Sequence, residues 1–401
     1  MTDFALTRRR LMGAAAALAA TSVLPLRALA QGAPIKIGTL TPLTGAGGPY
    51  GPVMVKTVKA VADQVNAAGG VLGRKIEVIS EDDQTNPEAG VRAARKLIDV
   101  DKVSAILGTW ASSVTTAVAP LCWESKTFLA TVSGADPITQ LPHQGYLIRT
   151  QPNTTLQGRK FGEFALAQNA KRVFFMAPQT PFTKSQFDNV TEAVKKGGGE
   201  TGLLIYDDKK PAYRTEIDEM LRFKPDALIL GGYTPDTTVL LKDLFRSGFA
   251  GQKIAFGYSV NQKLVESVPA EVVEKTYTIS PSPAEGSKAY DNLVKLIGVS
   301  APDPYTTQIY DQINLVLMAI ALAGEASGTA IKDNVRKVSQ APGGAKVDNA
   351  LDGLKAIAAK QAVDYDGASG PCDFTDIGDI QDCKFRYEQV QGGKIALVKI
   401  A

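Results

Sequence analysis

The chain has 401 residues, 44 basic and 41 acidic, with 44% hydrophobic content, one histidine and three cysteines. This near-neutral balance argues against a nucleic-acid or anionic-membrane binder, and a single histidine with no Cys/His zinc spacing leaves no metal site or proton relay to assemble. The length exceeds what one ordinary core accommodates and predicts two lobes.

The N-terminal "TRRRLMGAAAALAATSVLPLRALA" joins a basic start, an alanine-rich run and the small-x-small ending Ala28-Leu29-Ala30. It reads as a secretory signal, 1–30, cleaved before Gln31, and Arg8-Arg9 with Leu11 and Met12 gives it twin-arginine character. Pro25 and Arg27 interrupt the run, which is too short and weakly apolar for an anchor. The leader holds four arginines and one aspartate, leaving forty residues of each charge. The mature chain is expected outside the cytoplasm, with no membrane span.

"IKIGTL" (35–40) reads as a strand, and Val55, Val58, Ala62 and Val65 form a helical stripe. "NAAGGVLGRKIEVIS" follows, so its glycines come after a helix and before a strand. That order caps and turns the chain; a phosphate cradle needs strand, glycines, helix. Alternation continues with a helix on Val91, Ala94, Leu97 and Ile98, the strand "VSAILG", a helix on Val114, Ala117, Val118 and Leu121, and the strand "TFLAT". Cys122 falls in that last helix as a small buried residue. His143, in "LPHQG", is expected to be solvent-exposed.

A second βα series starts near Gln151: a helix to Asn169, "RVFFMA", a helix to about Lys196, "LLIY", "YRTEIDEMLRF", "DALILGG", "TTVLLKDLFRSG" and "KIAFG". Two successive series imply two open parallel sheets flanked by helices. Later helices are expected at 305–325 and 347–360, with a β-rich close from Pro371 to Ile400. In "CDFTDIGDIQDC" a turn at Ile377-Gly378-Asp379 would set Cys372 opposite Cys383 in a hairpin, within disulfide reach.

Ligands in such sheets sit beyond the carboxyl ends of the strands. The loops there supply Tyr50, Trp110, Ser112, Ser113, Ser133, Phe182, Tyr233, Tyr258 and Ser259. No serine-histidine or cysteine-histidine pair forms among them, and the first loop places Tyr50 where GxGxxG needs its third glycine. Donors and aromatic faces without a catalytic group suit reversible binding of a small organic molecule, with no cofactor and no enzymatic step.

"NAAGGVLGRKIEVISEDDQTNPEAGVRAARKLI", "VSAILGTWASSVTTAVAPL", "LIRTQPN", "DALILGGYTPD" and "YDGASG…DFTDIGDI" together resemble the leucine/isoleucine/valine-type periplasmic binding proteins of ABC transporters, across nearly the whole mature chain. The resemblance implies the two-lobed type I fold with three hinge crossovers, near Thr150, Ile279–Ser282 and Asp364–Ser369. It divides the chain into 31–150 plus 281–365 and 151–280 plus 366–401. It implies that Ser112 holds a ligand carboxylate at a helix start. It also places Ser133-Gly134-Ala135 on the second carboxylate- and amine-contacting loop, with Tyr50, Phe182 and Tyr233 lining the side-chain pocket.

Two positions depart from the pattern: Ala135 stands where amino-acid binders often carry a hydroxyl, and Ser259 stands where they carry the glutamate that receives the ammonium. The ligand expected is then a carboxylate without an α-amine, such as an aromatic acid, unless Asp136 or Asp236 supplies the charge. Branched-chain or other apolar amino acids stay open. The family's usual disulfide is absent, leaving Cys372 and Cys383 as the pair available. The partner implied is an inner-membrane ABC permease, with a monomer expected. The rival reading is a periplasmic ligand-sensing subunit for a receptor or sensor kinase.

Overall fold

A computed structural model describes residues 32–401; the expected signal peptide, with its twin-arginine pair and cleavage before Gln31, falls outside the described residues. Strands β1 (Ile35–Thr41), β2 (Ile76–Asp82), β3 (Ala105–Gly108), β4 (Phe128–Thr131) and β5 (Leu147–Arg149) form one parallel sheet in the order β2-β1-β3-β4-β5. Helices Gly51–Ala67, Pro87–Arg95 (continued by a π-turn, Lys96–Asp101) and Ser112–Glu124 connect them. The glycine turn works as its order predicts. Gly70 has φ 78° and its N–H bonds Val65 O, and a Cβ there would lie 2.0 Å from Arg74 O. Only glycine closes that helix end.

The second sheet runs β14-β13-β10-β9-β8-β6-β7. Its strands β6 (Arg172–Pro178), β7 (Glu200–Tyr206), β8 (Ala227–Leu230), β9 (Gln252–Phe256) and β10 (Tyr277–Pro281) are parallel. A two-stranded parallel pair, β11 (Ala345–Val347) with β12 (Val363–Tyr365), stands apart, and the closing hairpin β13 (Phe385–Gln391) and β14 (Lys394–Ile400) adds antiparallel to β10. The molecule is a two-lobed α/β protein in which each sheet carries its own core.

Helix Pro304–Ala323 is the deepest element: every residue from Tyr305 to Ile320 is buried. Asp303 caps it, its Oδ1 accepting from the N–H groups of Tyr305 and Thr306. Five helices went unread in the sequence: Lys288–Ile297, Gly328–Ser339 and the short Pro137–Gln140, Gln262–Ser267 and Ala270–Val273.

Two expectations are corrected. His143 is 5% exposed; its Nδ1 accepts from Gly145 N–H and its Nε2 lies 3.2 Å from Thr139 O, and burial pushes its pKa below the ordinary value. Cys372 and Cys383 are free thiols. The hairpin forms, but Phe374 faces Ile380 and Gln381 N–H bonds Asp373 O, so continuing the register sets Asp382 opposite Cys372. That one-residue offset sends the thiols to different sides: Cys372 enters the first core, while Cys383 packs against the second. Finally, Ala368, Cys372, Phe374 and Ile380 all join the first core. From this placement we infer that the third crossing runs near Asp382–Lys384.

Candidate functional site

The lobes meet over a narrow cavity at the carboxyl ends of both sheets. Trp110, Ala111, Ser112 and Gly134 form its first-lobe wall; Gln157, Thr180, Phe182, Tyr233 and Tyr258 face them from the second lobe. Gln151, on the first crossing, and Tyr305, on the buried helix, close the remaining side. The free space is about 40 Å³, far below the roughly 300–1,000 Å³ of common ligand clefts. Contacts across the gap explain why. Trp110 stands 5.4 Å from the Tyr233 ring and 5.7 Å from that of Tyr258, Tyr50 Oη donates to Tyr258 O at 3.4 Å, and a Cβ on Gly134 would lie 2.9 Å from Phe182. This is a closed arrangement.

Ser112 begins a helix whose N-cap, Ala111, offers no side-chain acceptor. The first N–H groups of a helix have no partner within it, so this end presents free donors where the wall lies. Most longer helices here are capped by a side chain, as at Asn86, Asn153, Thr180 and Asp303. Ser112 Oγ accepts from Ala135 N–H at 3.2 Å, which ties the two loops and leaves its own proton to donate. Arg149, wholly buried, fixes the same loop from behind. It donates to Ala135 O at 2.6 Å, Thr139 Oγ1 at 2.9 Å and Asp379 Oδ1 at 2.6 Å.

Of the sequence-predicted residues, Trp110, Ser112, Phe182 and Tyr233 come together on the wall. Ser113 follows Ser112 on the helix start but is not on the wall. Tyr50 stands behind Trp110, stacked on it at 5.6 Å. Ser133 turns inward, donating to Thr109 O and Trp110 O. Ala135 contributes its backbone bonds to Ser112 and Arg149. Asp136 spends its carboxylate on Thr155 N–H, Thr155 Oγ1–H and Asn189 Nδ2–H, away from the cavity. Ser259 is buried and donates to Gly232 O, so Tyr258 rather than Ser259 reaches the wall from that loop. Asp236 is also committed, accepting from Lys209 N–H and Tyr213 Oη–H. No acid stands on the wall among the described residues.

Sequence reasoning missed Gln151, Gln157, Thr180 and Tyr305. Burial pushes the phenols of Tyr50, Tyr233, Tyr258 and Tyr305 upward, so they stand as neutral donors at physiological pH. Gln151 Oε1 accepts from Gln308 Nε2 at 2.7 Å, which turns its amide nitrogen free. Among the described residues no group of His, Cys, Asp and Glu could hold a metal, and no single helix is long and apolar enough to cross a membrane.

The periplasmic binding protein family model matches residues 34–383. An amino acid binding protein of Pseudomonas aeruginosa is 24% identical over 317 residues, 77% of this chain and 83% of that one. The substrate-binding protein BasB of a chemotactic signal transduction system in Halobacterium salinarum is 24% identical over 358 residues, 86% and 84% of the two chains. Among solved structures, the leucine binding protein LivK of Thermotoga maritima superposes with TM-score 0.78 at 21% identity, covering 91% of this chain and 98% of its own. A solute binding protein of an ABC transporter from R. palustris, in complex with benzoate, gives 0.74 at 17% identity, covering 92% and 96%.

Proposed function

The chain belongs to the periplasmic binding protein family, and from that premise we propose that it is the substrate-binding component of an ABC importer, closing two lobes on a small carboxylate. The carrying observation is the uncapped helix start at Ser112, which opens onto an aromatic wall. Its free N–H groups, the Ser112 hydroxyl and the helix dipole suit a carboxylate. Trp110, Phe182, Tyr233, Tyr258 and Tyr305 suit a flat apolar body. An α-ammonium closed into this cavity would face no carboxylate, a costly state. An aromatic acid therefore fits better than an amino acid, as in the benzoate-bound protein of the same fold.

Mass spectrometry of ligand released from protein purified without refolding would identify the occupant. Calorimetric titration with benzoate, 4-hydroxybenzoate, phenylalanine and leucine should favour the acids. Leucine or phenylalanine binding tighter than both benzoates would overturn the choice. The similarity to BasB supports a second reading, a sensing role in which the closed form is presented to a receptor. A transport defect on the ligand after deletion, with taxis intact, would decide for import.

A further inference from the structure

Beneath the ligand cavity, all three crossings pass around the first turns of helix Pro304–Ala323 and enclose a second, smaller space. Thr150 of the first crossing, Ser282 of the second and Cys383 of the third line it, and Gln308 projects from the helix. The free space is about 10 Å³, the room one water needs. Gln308 is 1% exposed and its Oε1 has no partner among the described residues. Its Nε2 donates to Gln151 Oε1 at 2.7 Å, and Gln151 forms part of the ligand wall. A side-chain amide has two polar ends; with one on Gln151, the other is left without a partner whichever way the pair is oriented. Buried carbonyls without a donor are rare, and an ordered water is the usual explanation.

We propose that the hinge cavity holds one ordered water donating to Gln308 Oε1, and that Gln308 is a positioning residue joining the ligand wall to the three crossings. The water has a hydroxyl from each of the first two crossings within the same enclosure. Thr150 is already tied to the helix, donating to Gln308 O at 3.4 Å and accepting from Gln312 Nε2 at 3.0 Å. A guest that holds the amide of Gln151 thereby holds Gln308, the water and the crossings in their closed positions. This second half rests on the ligand-binding reading above.

A high-resolution crystal structure of the full chain should show a density peak within about 2.7–3.2 Å of Gln308 Oε1; an empty cavity overturns the proposal. Gln308→Met fills similar space without an acceptor and should lose the peak. With benzoate as probe, this variant should bind about tenfold more weakly, the size of one hydrogen bond. Its scattering radius at saturation should stay between the free and bound values of the wild type. A merely structural defect would lower the ligand-free melting temperature but leave closure complete, and that pattern overturns the positioning role. If the wild type ignores benzoate yet shows the water, the aromatic-acid reading falls while the hinge water stands, and leucine serves as the probe for closure.

Discussion

Ser112 combines two tasks in one hydroxyl: it accepts from Ala135 N–H and keeps a proton for the guest. A hydrogen bond to a charged group contributes about 1.5–3 kcal/mol, so Ser112→Ala should weaken carboxylate binding by roughly ten- to a hundred-fold in calorimetric titration. The fold should survive with a small loss, since the buried Ala135 N–H is left without an acceptor. Unchanged affinities would place the carboxylate elsewhere. Asp83 makes a different kind of claim. It is fully buried, its Oδ1 accepts from Thr85 N–H, and its Oδ2 has no partner among the described residues. Burial pushes its pKa from the ordinary 3.8 up to about 7, with Asp82 adding repulsion. Because the folded value is raised, the stability this group contributes is fully present below about pH 4 and is lost as pH rises through about 7. Asp83→Asn should therefore be more stable than the wild type at pH 8, by on the order of 4 kcal/mol, with the difference shrinking towards pH 4. Urea unfolding of both proteins across that range checks it; parallel curves at all pH values would contradict it. Single residues were legible where the strand-end rule looks. Trp110, Ser112, Phe182 and Tyr233 sit in loops after strands, whereas Tyr305 arrives on a helix and Gln151 on a crossing, which no strand announces.

Elements were legible where hydrophobic period and glycine agreed. The turn after Gly51–Ala67 is an example, since order alone told a cap from a cradle. Helix Gly328–Ser339 escaped notice although Ser327 caps it and Ile331, Val335 and Val338 keep helical spacing; its charged residues and leading glycine masked a short stripe. The hairpin near the third crossing shows the limit of spacing arguments. The turn was placed correctly, but the register depends on which residue pairs across it, and one step separated Cys372 from Cys383. Burial also pushes both thiols up, Cys383 to about 12, so neither is a ready thiolate. Thiol labelling of denatured, unreduced protein should count three free thiols, and one free thiol would restore the disulfide. Arg149 holds this region to the ligand loop through Asp379, an ion pair with both side chains buried. Arg149→Met removes one partner and leaves Asp379 uncompensated, a change that typically costs about 3–5 kcal/mol. A melting temperature close to that of the wild type would show that Asp379 finds another donor, with Asn153 Nδ2, already 3.1 Å away, the first to examine.

At the scale of the whole molecule, the closed state follows from contacts that bridge the lobes without a ligand. Trp110 meets Tyr233 and Tyr258, Tyr50 Oη reaches Tyr258 O, and Asp136 accepts from Asn189. None of these is a large apolar interface, and the two part-buried hydrogen bonds contribute only about 0.5–1.5 kcal/mol each, so the lobes should open readily when nothing fills the cavity. A guest that binds only the closed form shifts that equilibrium by its differential affinity. It should also raise the melting temperature in proportion to the logarithm of its free concentration above Kd. Small-angle scattering of ligand-stripped protein should therefore give a larger radius of gyration than the closed form has, falling on addition of the released ligand. Tyr50→Phe sharpens the test, because it removes one bridging hydrogen bond while keeping the ring stacked on Trp110. The variant should populate the open form more and bind a few-fold more weakly, with saturation restoring the closed radius. A stripped wild-type protein that already has the closed radius, and a variant that matches it, would mean that the aromatic contacts alone hold the lobes shut. Ligand entry would then be limited by opening, and association rates should be slow and independent of ligand concentration at high concentration.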